Sequence, residues 1–190
     1  MKKEGLGGAV GLSHLFLRRA IRPGDSVIDA TCGSGRDTLL LARLVGSGGK
    51  VWAFDVQDAA LAATADLLRN AGCLDRVSLV RSGHERIAGH VRGPVRAAVF
   101  NLGFMPGGER GVITTVETTL AALEQVPALL LPGGIVTIAV YIGHPGGAEE
   151  GAAVEAWAAG LSPRRFNTWK SRQLNRSGNA PYLVLAEKLR

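Results

Sequence analysis

Short apolar runs alternate along this chain with longer amphipathic or alanine-rich segments. The apolar runs suit buried strands, which we predict at 26–30, 50–54, 77–80, 96–100, 135–141, 165–171 and 182–187. The segments between them predict helices at 9–20, 37–45, 58–72, 116–131 and 148–159, the third capped by Asp58. This alternation is typical of an α/β fold in which helices cover both faces of a doubly wound parallel sheet.

The end of the chain breaks this alternation. A polar loop at 174–181 joins the last two predicted strands, and it suits a hairpin. Five strand–helix units followed by a hairpin predict a seven-stranded, mostly parallel sheet with a terminal antiparallel hairpin. We expect the chain, 1–190, to form a single domain, with 1–25 as a leading helix and entry segment.

A glycine-rich turn, Cys32-Gly33-Ser34-Gly35, follows the first predicted strand and precedes a helix. Glycines let the backbone approach a ligand closely in such a turn. An acidic residue, Asp55, ends the next apolar strand, where a carboxylate can accept hydrogen bonds from both hydroxyls of a ribose. The sequence therefore predicts a site for a cofactor that contains a nucleoside.

Two glycine patterns compete for this turn. The dinucleotide fingerprint G-x-G-x-x-G requires a third glycine where this chain has Thr38. The S-adenosylmethionine pattern, an acidic residue followed by x-G-x-G-x-G, fits Asp29 to Gly35 except that Thr31 replaces the first glycine. Asp29 is placed to hold the cofactor's ammonium group by charge or through water. A turn that merely connects strand and helix is the alternative.

We therefore expect S-adenosylmethionine as cofactor and, with the terminal hairpin, the Rossmann-like class I fold of methyltransferases that use it. Ligands of such sheets bind beyond the carboxyl ends of the strands. The turn after the third strand is where the adenine ring normally rests. The residues predicted to bind the cofactor are Asp29, Thr31, Gly33, Gly35, Asp55, Gln57, Ser82 and His84.

Asn101 and Phe104 follow the fourth predicted strand with the spacing of the N-P-P-Y motif of amino-methyltransferases. An Asn oxygen and a nearby carbonyl can accept two N–H bonds from an amine and so direct its lone pair at a methyl group. Phe104 can stack on a base. In the alternative interpretation, Asn101 caps a turn and Phe104 packs in the core. The same loop adds Gly107, Gly108 and Arg110 as candidate substrate-binding residues.

Tyr141 and His144 follow the fifth predicted strand in a segment with three glycines. A histidine titrates near neutrality, so His144 is a candidate for proton relay or substrate binding. Glu149 and Glu150 open a helix and are interpreted as compensating its dipole. We interpret His14 and His90 as surface or packing residues. The two cysteines, Cys32 and Cys73, have no metal-binding spacing, and no metal site is predicted.

The chain carries a net charge of +6, and 17 of its 22 basic residues are arginine while five are lysine. Arginine suits bidentate contacts with phosphate, so RNA is a candidate partner. A general preference for arginine over lysine explains the composition equally well. Candidate RNA contacts are Arg36, Arg110, Arg172 and Arg176. With no apolar run long enough for a membrane span and no clean signal sequence, we expect a cytoplasmic protein without membrane contact.

Several of these segments together resemble one bacterial family, long labelled rRNA methylase. The resemblance covers about residues 12–185, and its most specific parts are the segments 101–108 (NLGFMPGG) and 141–147 (YIGHPGG). Its members are understood to methylate 5-aminomethyl-2-thiouridine at the wobble position of tRNA. The resemblance thus implies S-adenosylmethionine as cofactor, a tRNA anticodon loop as substrate and a homodimer.

An aliphatic amine is mostly protonated at neutral pH and then has no lone pair to react. The family chemistry thus requires that a proton be removed, and Asp37, His144 and Tyr141 are the candidates. Asn101 would orient the amine. Two other functions stay open: a methyltransferase for rRNA or a small amine, and an inactive RNA-binding protein on the same fold.

Overall fold

The computed structural model describes residues 7–103 and 113–190, and a single seven-stranded sheet runs through them. Its strands are β1 (Ser26–Asp29), β2 (Lys50–Asp55), β3 (Val77–Arg81), β4 (Val95–Asn101), β5 (Leu130–Val140), β6 (Phe166–Ser171) and β7 (Tyr182–Lys188). The helices are α1 (Ala9–Ala20), α2 (Arg36–Val45), α3 (Asp58–Asn70), α4 (Ile87–His90), α5 (Val116–Leu129) and α6 (Gly147–Gly160).

The strand order is β3-β2-β1-β4-β5-β7-β6, with β7 antiparallel to both of its neighbours and the other pairs parallel. The predicted fold class is confirmed, including the terminal hairpin. The order reverses between β1 and β4, so the loops that follow these two strands diverge and open a crevice at the carboxyl edge of the sheet.

The sheet is buried on both faces because neighbouring residues of each central strand pack into different layers. Val27 packs with α1, α2 and α3 on one face, whereas Ile28 packs with α4, α5 and α6 on the other. This two-sided burial explains why the central strands are almost continuously apolar. No helix among the described residues is long and apolar enough to cross a membrane.

Helix α1 is fixed against the sheet by one row of its residues. Ala9, Ser13 and Leu17 are buried at i, i+4 spacing, and Ser13 Oγ donates a hydrogen bond of 2.9 Å to Thr137 Oγ1 on β5. The adjacent row, Val10 and His14, consequently faces the crevice at the carboxyl edge.

Three local predictions were wrong. Asp58 is the first residue of α3 and not its cap, which is Gln57, and its carboxylate pairs instead with Arg81 at 2.9 Å. The fifth strand was predicted to begin at residue 135, but β5 already begins at Leu130, and Pro132, Gly133 and Gly134 lie within it. Its register with β4 shifts between Val95 and Ala97, so this segment is accommodated as an irregularity within the strand. The short helix α4 was not predicted.

Candidate active site

A cavity of about 790 Å³ lies at the carboxyl edge of the sheet, where the strand order reverses. Its walls come from α1 and from the segments that follow β1, β2, β3, β4 and β5. The volume is within the range of small-molecule sites. Many of the residues predicted from sequence to form a site line this one cavity: Thr31, Gly33, Asp37, Asp55, Gln57, Ser82, His84, Asn101, Tyr141 and His144.

The glycine turn is held in place by α3. Gly35 has φ +79°, and a Cβ there would lie 2.8 Å from Thr64 Oγ1 and 2.9 Å from Thr64 Cα. The same hydroxyl donates to Gly33 O at 3.1 Å. Gly35 is therefore required for backbone conformation and for packing against α3, although it does not line the cavity itself.

Asp55 organises one end of the cavity. We call it the cofactor end because the sequence predicts cofactor contacts there, and we define it by Gly33, Asp55, Gln57, Ser82 and His84. One oxygen of Asp55 accepts from Gly33 N at 2.9 Å and the other from Gln57 N at 3.0 Å. A carboxylate has about four acceptor positions, so each oxygen can accept another hydrogen bond from the cavity.

Ser82 and His84, which the sequence predicted to contact the cofactor, both line the cavity. The His84 ring is buried and packs edge-on against Phe100, with ring centroids 5.8 Å apart. Burial lowers the pKa of His84, so the ring is neutral at physiological pH. A neutral ring in this position offers a flat, uncharged wall to a ligand.

Asp29 lies behind the glycine turn and does not line the cavity. Its carboxylate accepts from Thr38 Oγ1 at 2.6 Å and from Thr31 N at 3.3 Å. Burial, reinforced by the negative charge of Asp37, raises the pKa of Asp29 to about 7. Through these contacts Asp29 supports the turn. Because it does not line the cavity, its predicted effect on a cofactor ammonium group would be electrostatic and would act without direct contact.

The opposite end of the cavity is built from side chains of four segments. We call it the reacting end and define it by His14, Asp37, Asn101, Tyr141 and His144. Asp37, in the first turn of α2, accepts from His14 Nε2 at 2.5 Å through one oxygen and from Asn101 Nδ2 through the other. The bond between Asp37 and Asn101 joins two residues that the sequence predicted separately.

Thr31 explains why this chain departs from the glycine pattern. Its Oγ1 accepts a hydrogen bond of 2.8 Å from Asn101 N, at the end of β4. A glycine at position 31 would have no hydroxyl for this contact. Thr31 therefore links the turn after β1 to Asn101 at the reacting end.

Tyr141 and His144 both line the reacting end. Burial raises the pKa of Tyr141, helped by the charge of Asp37, so its phenol is protonated at neutral pH. His144 Nδ1 lies 3.0 Å from Pro145 O. A Cβ on Gly147 would come within 2.9 Å of His144 Nε2, so the ring packs closely against the start of α6.

Two contributions were missed from sequence. His14 was interpreted as a surface or packing residue, but it lines the cavity and pairs with Asp37. Glu150 was interpreted as compensating a helix dipole, yet it is buried and accepts from Thr114 Oγ1 at 2.9 Å and Thr119 Oγ1 at 2.6 Å. His14 lies on the cavity-facing row of α1. That row cannot be identified from the sequence without knowing how α1 packs on the sheet.

The predicted substrate-binding residues Phe104, Gly107, Gly108 and Arg110 lie outside the described residues. Arg36 is exposed and lines the cavity at the start of α2. Arg172 and Arg176 are exposed in the loop between β6 and β7. Because β6 runs parallel to β5, this loop emerges from the same edge of the sheet as the cavity.

Comparisons with known proteins agree with this geometry. Residues 51–187 match the model of the family described as "Putative rRNA methylase". A protein of Arabidopsis thaliana named tRNA (mnm(5)s(2)U34)-methyltransferase, chloroplastic, is 41% identical over 190 residues, which span 95% of this chain and 69% of that protein.

Two crystal structures resemble the whole fold. A "putative rRNA-methylase" from Clostridium thermocellum is 38% identical with a TM-score of 0.94, covering 98% of this chain and 100% of that one. A "putative methyltransferase" from Streptococcus mutans in complex with SAH is 37% identical with a TM-score of 0.88, covering 97% of this chain and 100% of that one.

Proposed function

The chain belongs to the rRNA methylase family and is an S-adenosylmethionine-dependent methyltransferase, and we propose that it methylates the aliphatic amine of a modified wobble uridine in tRNA. The proposal combines three observations: a cavity suited to the cofactor, an amide placed to orient an amine, and basic residues beside the cavity.

The cavity offers hydrogen-bonding groups and negative charge that suit the cofactor. Asp55 has acceptor positions left for ribose hydroxyls, beside the backbone of Gly33 and the adenine-side residues Ser82 and His84. S-adenosylmethionine carries a positive sulfonium and an ammonium group. The charges of Asp29, Asp37 and Asp55 interact around the turn, and a cation bound there would reduce their mutual repulsion. When bound, the cofactor supplies an electrophilic methyl group.

The amide of Asn101 is the observation that carries the proposal. An ionised carboxylate only accepts hydrogen bonds, so the nitrogen of Asn101 must be the atom that faces Asp37. The Asn101 oxygen is thereby turned away from Asp37 and remains available as an acceptor. An N–H donor is what this oxygen would select, and a substrate amine held there would have its lone pair oriented for transfer.

The tRNA part of the proposal rests on charge and on the Arabidopsis relative. That relative is named for a tRNA modified at position 34, and the reaction named requires an aminomethyl group. In this chain Arg36, Arg172 and Arg176 lie at the same edge as the cavity, where they can contact phosphates. An anticodon loop is single-stranded, so its wobble base can enter a cavity without melting a duplex.

Mass spectrometry of nucleosides tests the proposal. Purified protein and S-adenosylmethionine are incubated with tRNA that carries 5-aminomethyl-2-thiouridine, with rRNA, and with a small primary amine as matched substrates. We expect a gain of one methyl group on the tRNA nucleoside alone. Methylation of rRNA or of the small amine instead would overturn the substrate assignment, and cofactor binding without any transfer would favour the inactive RNA-binding alternative.

The homodimer implied by the family resemblance is also part of the proposal. Sedimentation of the purified protein with and without tRNA measures it directly. A monomer at all concentrations tested would mean that one chain provides the entire RNA-binding surface.

A further inference from the structure

His14 is the ionisable residue of the reacting end that the sequence analysis left without a role. It projects from α1 on the same row as Val10, and both residues line the cavity. Its side chain is 30% exposed, and its Nε2 lies 2.5 Å from Asp37 Oδ1. A partly exposed imidazole held by a buried carboxylate is an arrangement suited to proton transfer.

We propose that His14 is the proton acceptor for the substrate ammonium group, with Asp37 as the residue that positions its ring. This inference rests on the proposed function, because an amine substrate is what makes a proton acceptor necessary. It assigns a catalytic residue to a helix that precedes the first strand, outside the loops from which the sequence predicted the chemistry.

The ring geometry specifies which nitrogen would act. Since Asp37 accepts, Nε2 carries the hydrogen in this contact, and in the neutral ring Nδ1 then has the lone pair. The carboxylate selects this tautomer and would stabilise the imidazolium once a proton arrives. Asp37 also holds Asn101, so one carboxylate would fix both the proton acceptor and the group that orients the amine.

The other candidates are less suited to accept the proton. A carboxylate such as Asp37 is a much weaker base than an imidazole, and here it already accepts from His14 and Asn101. Tyr141 keeps its proton at neutral pH because its pKa is raised, so it can donate a hydrogen bond but is a poor acceptor of a proton. The His144 ring is packed against Gly147 and its Nε2 is buried, so this ring is less accessible to a substrate than that of His14.

The proposed step balances as follows. The ammonium group of the substrate gives one proton to His14 Nδ1, which leaves a neutral amine beside the Asn101 oxygen. The amine lone pair then forms a bond to the cofactor methyl carbon while the carbon–sulfur bond breaks, giving a secondary ammonium product and S-adenosylhomocysteine. The imidazolium of His14 returns its proton to solvent when the product leaves.

Other titratable and charged groups surround His14. Asp37 faces it from α2, Asp29 lies behind Asp37 on β1, and Arg36 and Tyr141 border the same cavity. The test therefore compares variants across a pH range and does not depend on any single value.

Turnover as a function of pH separates a proton acceptor from a structural residue. The enzyme and its His14→Gln variant are assayed from pH 6 to 9 on tRNA that carries the aminomethyl group, at saturating cofactor. We expect His14→Gln to lower kcat by about 10²-fold or more near neutral pH, the usual size of a general-base effect. The activity of the variant should rise by about tenfold per pH unit, because only free amine reacts. The wild type should instead reach a plateau, because its neutral histidine accepts the proton of the bound ammonium group.

Three further measurements complete the experiment. Free imidazole should partly restore a His14→Ala variant but not His14→Gln, which still fills the site. Cofactor affinity should stay within about twofold in each variant, since His14 is not at the cofactor end. His90→Gln, which removes an exposed histidine that does not line the cavity, serves as the matched control and should leave the pH profile unchanged.

A His14→Gln variant whose pH profile keeps the wild-type plateau would overturn the proposal, as would a loss of activity explained by weaker cofactor binding. If the wild type itself does not methylate this tRNA, the proposed function fails and not the assignment of His14 alone. The two failures are therefore distinguished by the wild-type reaction.

Discussion

The two ends of the cavity are built by different means. At the cofactor end, Asp55 accepts from two backbone N–H groups, and the neutral ring of His84 forms part of the wall. At the reacting end, Asp37 accepts from two side chains, His14 and Asn101, which belong to elements far apart in sequence. A carboxylate held by backbone groups is suited to binding a ligand that is the same in every reaction, such as the cofactor. A network of side chains is suited to moving a proton and orienting an amine.

This contrast implies that binding and turnover are separable by mutation. Substitutions at Asp55 should act on cofactor affinity, and substitutions around Asp37 should act on kcat. The two ends are not electrically independent, because the charges of Asp37 and Asp55 both raise the pKa of Asp29 between them.

Asp37→Ala should have the largest effect. It removes the acceptor of both His14 and Asn101, so we expect kcat to fall by about 10³-fold, since general-base and positioning effects are both lost. Single-turnover rates and calorimetric cofactor titrations measure the two quantities. Asp66→Ala, which removes an exposed carboxylate on α3, is the matched control. If cofactor affinity fell as much as kcat, binding and turnover would not be separable between the two ends.

Asn101→Ala should lower kcat by about 10²-fold with cofactor affinity unchanged, because a misoriented amine loses the advantage of proximity. Asn101→Asp sharpens the test. It would place a second carboxylate against Asp37, so the contact survives only while the pair shares a proton, and activity should fall as pH rises. Turnover of Asn101→Ala at the wild-type rate would mean that Asn101 only caps a turn.

Asp55→Ala should act at the opposite end. Loss of the charge-assisted hydrogen bonds to ribose should weaken cofactor binding by about 2 kcal/mol, or roughly 30-fold in Kd, while kcat at saturating cofactor changes little. Calorimetry with S-adenosylhomocysteine measures the affinity. A variant that binds normally but turns over slowly would show that Asp55 belongs functionally to the reacting end.

The same contrast explains how much of the site could be predicted from sequence. The cofactor end uses local signals: Gly33 and Asp55 follow consecutive strands, and their hydrogen bond follows from that order. Asn101 was predicted from a loop motif and lines the cavity. His14 could not be found this way, because its role depends on how α1 packs against β5 through Ser13.

Element boundaries show a similar limit. Helix α1 was predicted with its observed bounds, since its apolar spacing and the following Pro23-Gly24 are local signals. The early start of β5 was missed, because Pro132 and Gly133 are typical of turns. They belong to the strand only because Leu130 and Ile135, on either side of them, pair with β4. Burial of Glu150 likewise depends on two threonines from another segment.

Arg172 and Arg176 should have a smaller effect, and only on RNA. Replacing both with Ala should weaken tRNA affinity by several-fold and reduce the salt dependence of binding, because up to two phosphate contacts are lost. Arg164→Ala is the matched control, as this exposed residue precedes β6 at the opposite edge of the sheet. Filter binding at several salt concentrations measures the slope. If the Arg164 variant lost as much tRNA affinity as the double variant, the basic residues would attract RNA through overall charge and not through contacts at the cavity edge.

Asp29→Asn should have the smallest effect on activity but a distinct effect on stability. The pKa of Asp29 is about 7 in the folded protein and about 3.9 in an unfolded chain. Between these values the folded state holds a proton that the unfolded state has lost. The contribution of Asp29 to stability is therefore fully present below pH 4 and is lost as pH rises through 7.

Asn at position 29 can keep contacts with Thr31 and Thr38 but cannot ionise, so the stability of the variant should fall less between pH 5 and pH 8. Urea unfolding of the cofactor-free protein at these two pH values measures the difference, and Asp75→Asn on the surface is the control. An equal decline in wild type and variant would mean that Asp29 ionises as a solvent-exposed carboxyl does. The Asp29 carboxylate would then be negatively charged at every physiological pH. Binding of a cationic cofactor would in that case release no proton from Asp29.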